Sequence, residues 1–194
     1  MMNTSLAGID ELLRLHPPTH PVLVEVMVRD YRVAVYRLAL SLLADPDDAE
    51  DATQETFIKA ARYLARYRAG TNFRAWIFQI TVNTCRSLLR KRAARANLQR
   101  MLNMGTTQSG SQVGPEQLAT QRDARTQLWD LVGRLPEKQR LVLILHQGHD
   151  LPIAEVAQIT GTNPKTVYSR LYAAYQALRG MIQQSVHVNL FENE

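Results

Sequence analysis

DLPIAEVAQITGTNPKTVYSRL, residues 150–171, holds two short apolar periodicities separated by a glycine. Ile153, Val156 and Ile159 recur at the spacing of one helical face, Gly161 supplies a left-handed turn, and Asn163-Pro164 caps and begins a second helix. Val167 and Leu171 complete the apolar set, and the small Ala157 lets the helices cross closely. This is a helix-turn-helix. When such a motif binds DNA, its second helix enters the major groove by its N-terminal residues. Here those are Asn163, Lys165, Thr166, Ser169 and Arg170, all able to hydrogen-bond phosphates or base edges. The plain alternative is a helical hairpin of an adaptor domain.

Outward from this motif the chain is helical throughout. Upstream, patterns at 122–133 and 136–147 lead into it, and the second helix continues to about residue 182. Nearer the start, Val22, Val26, Val33, Tyr36, Leu40 and Leu43 fall at steps of three, four and seven, which predicts an amphipathic helix burying those residues. Asp45-Pro46 breaks it and starts another over about 47–67, burying Ala49, Ala52, Thr53, Thr56, Phe57, Ala60, Tyr63 and Leu64. Gly70-Thr71-Asn72 punctuates, and a third helix over about 73–92 is expected to bury Phe73, Trp76, Ile77, Ile80, Thr84 and Leu88. Nothing alternates as a strand would. The expected fold is all-α: two small helical domains, 22–96 and 122–182, with an extension at 1–21, a flexible linker at 97–121 and a tail at 183–194. The linker is richest in glycine, serine and threonine from residue 103 onward.

The 194 residues, 45% hydrophobic and 21% charged, exclude a disordered chain. No stretch approaches the roughly 18 apolar residues of a membrane span, and the first residues lack a secretory pattern, so a cytoplasmic protein without membrane insertion is expected. The single cysteine, Cys85, excludes an internal disulfide framework and reads as a small buried residue. His146 and His149 share helical spacing, but no cysteine or carboxylate completes a site around them. Neither catalytic residues nor a metal or cofactor are expected.

The net charge of +5 conceals a segregation. Six acids (Asp45, Asp47, Asp48, Glu50, Asp51 and Glu55) stand together without a base, and the next sixty residues hold eleven bases and no acid. Such blocks suit two partners of opposite sign, or two solvated faces. Within the basic block, Gln79, Asn83, Arg86 and Arg90 fall at about 240°, 280°, 220° and 260° around the third helix, a narrow polar stripe fit for a nucleic-acid strand. Tyr67 and Phe73 border the loop beside it, where an extruded base could stack, although such aromatics are more often core. Asp51, Gln54 and Glu55 share an outer face of the second helix; by spacing alone this is either a solvated surface or a protein-docking surface.

Together DPDDAEDATQETF (45–57), NFRAWIFQITVN (72–83), LPEKQR (135–140) and the helix-turn-helix resemble, in order, a bacterial RNA polymerase sigma factor of the extracytoplasmic-function group. The resemblance spans about 22–179. It implies a transcription initiation factor that brings core RNA polymerase to promoter DNA. Asp51, Gln54 and Glu55 would dock on the polymerase β′ coiled coil. Tyr67, Asn72, Phe73, Asn83, Arg86 and Arg90 would melt and read the minus-ten element. Asn163, Lys165, Thr166, Tyr168, Ser169, Arg170 and Tyr172 would read the minus-thirty-five element, while the upstream helices meet the β flap. An anti-sigma protein is a further implied partner. The reading helix departs from the family: Tyr168, Ala173 and Tyr175 stand where basic residues are usual, which predicts fewer phosphate contacts, with Tyr168 and Tyr172 compensating through thymine methyls or hydroxyl bonds. The rival readings are a stand-alone helix-turn-helix regulator and a helical adaptor.

Overall fold

Asp45 separates two helices by its own side chain. Ala44 ends the first in a left-handed conformation at φ 55°, its N–H bonded to the Leu40 carbonyl. The Asp45 carboxylate then accepts the Asp48 N–H at 2.9 Å, and Pro46 occupies the first helical position. That backbone hydrogen bond, helped by the Arg92 charge, holds the Asp45 carboxyl below its ordinary range.

The structure, a computed structural model, describes residues 5–103 and 124–191. In chain order the helices are α1 (Ser5–Leu15), α2 (Pro21–Leu43), α3 (Pro46–Tyr63), α4 (Phe73–Asn103), α5 (Ala124–Gly133), α6 (Glu137–Leu143), α7 (Ile153–Thr160) and α8 (Pro164–Phe191). A 3₁₀ turn, Leu64–Arg66, follows α3, and a π turn, Ile144–Gly148, follows α6. Among the described residues there is no strand. The linker residues 104–121, the start expected at 122 and residues 192–194 lie outside the described residues.

The first unit is α2, α3 and α4 packed together with α1 laid on α2 and α4. α3 buries Ala49, Ala52, Thr53, Thr56, Phe57 and Ala60 as its pattern predicts, with Leu64 following in the 3₁₀ turn. Tyr63 differs: it is 44% exposed, and its ring carries the Arg66 guanidinium 5.4 Å from the centroid. The α2 face is also corrected. Leu23, Met27, Tyr31, Val35, Leu38 and Ala39 are buried with Val26 and Leu43, while Val33 is 62% exposed. α2 touches α1, α3, α4 and the π turn, so its apolar surface is wider than one stripe.

α4 departs from expectation twice. It runs to Asn103 rather than 92, taking up the first part of the predicted linker, and every residue from 91 to 101 is exposed. Its buried side holds Ala75, Ile77, Phe78, Thr81, Val82, Thr84 and Cys85, leaving Trp76, Ile80 and Leu88 only partly covered. The centre of that side is rotated by about 90° from the predicted one. The cause is a second layer, since α7 packs on α4 from the other unit. α8 also continues past residue 182, through part of the predicted tail.

The second unit closes around Leu135, residues 141–145, Leu151, Val156, Ile159, Val167, Leu171, Ala174 and Leu178. Gly161 takes φ 64° and ends α7, returning its N–H to the Ala157 and Gln158 carbonyls. The apolar cores of the two units run together. Among the described residues the polar and aromatic contacts that join them include Arg74 to Glu155 at 2.8 Å, Arg86 to Glu137 at 2.9 Å, and the Phe78 ring edge-on to His149 at 6.0 Å.

Candidate nucleic-acid interface and docking face

The loop between the 3₁₀ turn and α4 is tied to itself. Thr71 donates its N–H to the Arg68 carbonyl at 3.2 Å and its hydroxyl to the same oxygen at 2.8 Å. Tyr67 donates its hydroxyl to the Thr71 carbonyl at 2.8 Å and also faces the Asp10 carboxylate at 3.0 Å. Burial, helped by the hydrogen bond to Asp10, pushes the Tyr67 phenol up to about 12. Asn72 caps α4, accepting the Ala75 N–H at 3.0 Å.

Phe73 is corrected from the expected stacking role. It is fully buried, with the rings of Tyr31, Tyr67 and Trp76 all 5.1 to 5.2 Å from its centroid. An aromatic at a loop boundary meets nucleic acid only if nothing folds over it, and here Tyr31 on α2 does. Trp76 and Tyr67 are both partly exposed at this edge, their rings 5.2 Å apart. Sequence reasoning assigned Trp76 to the core; its place beside the loop follows from the rotation of α4.

From the loop, Gln79, Asn83, Arg86 and Arg90 extend along α4. Asn83 and Arg90 are exposed, and Gln79 is half-buried. At 1.5 Å per residue, Asn72 to Arg90 covers about 27 Å, so the predicted residues form a track rather than a pocket. Arg86 is not open to solvent in the same way, because its guanidinium is bonded to Glu137 of the second unit. Beyond Arg90 the exposed arm carries Lys91, Arg95 and Arg100.

The acidic block is less uniform than its composition. Asp45 and Asp48 pair with Arg92, Glu50 with Arg32 at 3.0 Å, and Glu55 with Lys59 at 3.3 Å. Lys59 also reaches the Thr84 hydroxyl at 3.2 Å, tying α3 to α4. Asp51, Gln54 and Glu55 remain on one exposed face of α3, where carboxylates can meet a cationic protein surface. Among the described residues no group of three histidine, cysteine or acidic side chains is placed to hold a metal. None of the described helices is long and apolar enough to cross a membrane.

At the start of α8 the Asn163 side chain accepts the Thr166 N–H at 2.8 Å, leaving its amide group for outside contacts. Lys165 and Ser169 are exposed, the latter donating to the Lys165 carbonyl; Thr166 and Arg170 are half-buried. Tyr168, Tyr172 and Tyr175 are 63%, 68% and 44% exposed, one aromatic ridge at steps of four and three. Tyr175 is held by Gln147, which donates to its hydroxyl at 2.8 Å. Two of these tyrosines, Tyr168 and Tyr175, stand at positions where the resemblance leads one to expect a base; the third such position is Ala173.

The chain matches the family described as Sigma-70 region 2 over residues 27–95 and the family Sigma-70, region 4, over 125–178. It is 31% identical to the RNA polymerase sigma factor SigV of Bacillus subtilis, covering 83% of this chain and 92% of that protein. It is also 31% identical to the ECF RNA polymerase sigma factor SigE of Mycolicibacterium smegmatis, over 79% of this chain and 59% of that one. Its fold resembles that of RpoE of Bartonella quintana, solved with the anti-sigma factor NepR: TM-score 0.63, 24% identity, 82% of this chain and 96% of that one. CnrH, solved with the cytosolic domain of CnrY, gives TM-score 0.63 at 23% identity over 93% and 96%.

Proposed function

The chain belongs to the extracytoplasmic-function group of RNA polymerase sigma factors, and from that membership we propose how its surfaces share the work of initiation. It is a transcription initiation factor that binds core RNA polymerase and directs it to promoters. The outer face of α3, through Asp51, Gln54 and Glu55, docks on the β′ coiled coil. The loop at 67–72 receives an extruded base of the minus-ten strand, and Asn83, Arg86 and Arg90 follow that strand along α4. The start of α8 reads the minus-thirty-five duplex with Asn163, Lys165, Thr166, Ser169 and Arg170, assisted by the Tyr168 and Tyr172 ridge; α5 and α6 meet the β flap.

The observation that carries this division is the polar track on α4, continuous from a tied loop to an exposed basic arm, beside an acidic α3 face of opposite sign. Because each reader alone makes modest contacts, joining them on polymerase multiplies their affinity. A factor with this fold, RpoE of Bartonella quintana, was solved with an anti-sigma factor, and we extend that class of partner to this chain. A stand-alone helix-turn-helix regulator needs neither the α3 face nor the α4 track. The test is association with core polymerase: Asp51→Ala with Glu55→Ala should weaken it while leaving the helical content intact. Unchanged association would sink the docking assignment.

A further inference from the structure

α1 precedes the matched family regions, yet it is built into the first unit. Ile9 is fully buried in the core, and Leu12 and Leu13 pack against it. This seats the neighbouring Asp10 over the loop at 67–72. Its Oδ1 accepts the Gly70 N–H at 3.1 Å and faces the Tyr67 hydroxyl at 3.0 Å. Gly70 sits at φ 85°, so its N–H is turned by a conformation that other residues rarely adopt. Arg14, one turn further along α1, brings its guanidinium within 3.8 Å of the space a Cβ on Gly70 would fill.

We propose that Asp10 is a positioning residue for minus-ten recognition, which fixes the loop in the one conformation that selects the base. This rests on the loop having the reading role given above. The Tyr67 hydroxyl shares its one proton between two acceptors, Asp10 and Thr71, and in this way joins α1 to the far side of the loop. Without Asp10, Gly70 loses the partner of its N–H and the loop gains conformations. A loop held rigid discriminates among bases; a loop that can rearrange accommodates the wrong one at less cost. Asp10 is half-buried and both its bonds run into the protein, so it acts through the loop and not by touching the strand.

The test uses the full chain with core polymerase on a promoter library carrying all four bases at each minus-ten position and a constant upstream element. Asp10→Ala should flatten the preference at the loop-read position by about tenfold, the scale of one mismatched base. Asp10→Asn keeps an oxygen that accepts both bonds and should retain the preference. Tyr67→Phe keeps the ring packing but removes the hydroxyl bridge, and should flatten the preference in part even if the alanine variant folds poorly. Wild-type base preferences in Asp10→Ala, or in Tyr67→Phe where the alanine variant does not fold, overturn the proposal, whether or not total transcription falls. Asn72→Ala separates the two levels. If it alters base preference while Asp10→Ala does not, only the α1 inference fails; if neither does, the loop reading fails as well.

Discussion

Arg86 in the first unit donates its guanidinium Nε–H to the Glu137 carboxylate of the second at 2.9 Å, so a residue of the proposed DNA track is engaged by the other unit. The side chains are 35% and 60% exposed, and a pair so placed contributes about 1 kcal/mol at most. Glu137→Gln should leave thermal stability within that margin and transcription undiminished. Arg86→Ala should make promoter binding by the holoenzyme less salt-dependent, shallower by about 0.7 in log–log slope for one single-strand phosphate contact. An unchanged slope would remove Arg86 from the track.

Asn72 has a structural duty and a proposed functional one, and two substitutions part them. Asn72→Ala removes the α4 cap and should cost about 1 kcal/mol, lowering the melting temperature by several degrees. Asn72→Asp preserves the cap but sets a carboxylate beside the strand. It should melt like the parent and transcribe poorly; full activity would place Asn72 away from the DNA.

His149 links stability to pH. Burial against the first unit, opposed by Asp150 and reinforced by Arg37, holds the imidazole below its ordinary 6.5. The unfolded chain therefore binds a proton that the folded chain refuses. Stability is full above pH 6.5 and declines as pH falls through 6.5 towards the lower folded value. Replacing His149 with Gln should flatten denaturation midpoints measured between pH 7.5 and 5.5.

Gly161 turns the helix-turn-helix at φ 64°, with open space where a Cβ would stand. Gly161→Ala therefore meets no clash, only the left-handed penalty of about 1–2 kcal/mol. Thermal melting should register that loss, and transcription should fall most at promoters that depend on the upstream element.

Cys85 is 1% exposed, and burial pushes its thiol up to about 12. At pH 8 the thiol stays protonated, and the reactive thiolate is scarce. Alkylation should be negligible in the folded chain and complete after denaturation.

Much of this was legible in local sequence. Asp45-Pro46 marked the α2–α3 boundary, small residues marked the buried side of α3, and Gly161 with Asn163-Pro164 placed the turn of the reading motif. The misses share a cause, which is contact with distant residues. Phe73 is enclosed partly by Tyr31, 42 residues earlier; Arg86 meets a carboxylate 51 residues on; Asp10 meets Gly70 across 60. Val33 fails for a related reason, because α2 is packed from several directions and a single-stripe pattern picks the wrong edge. The polar stripe along α4 was readable from spacing, while Asp10 on α1 carried no such signal.

The exposed arm of α4 has a mechanical consequence. Past Arg92, whose side chain still pairs with Asp45 and Asp48, the nine exposed residues to Met101 carry the chain about 14 Å beyond the first unit before the connection to α5 begins. That connection, 104–123, could stretch to roughly 70 Å. Its origin is a boom tip, remote from the surface on which α7 rests. Lifting the second unit off that surface widens a gap that a connection of this length can span, at little cost in chain entropy. The strength of the seat, not the length of the rope, then governs how readily the two readers part.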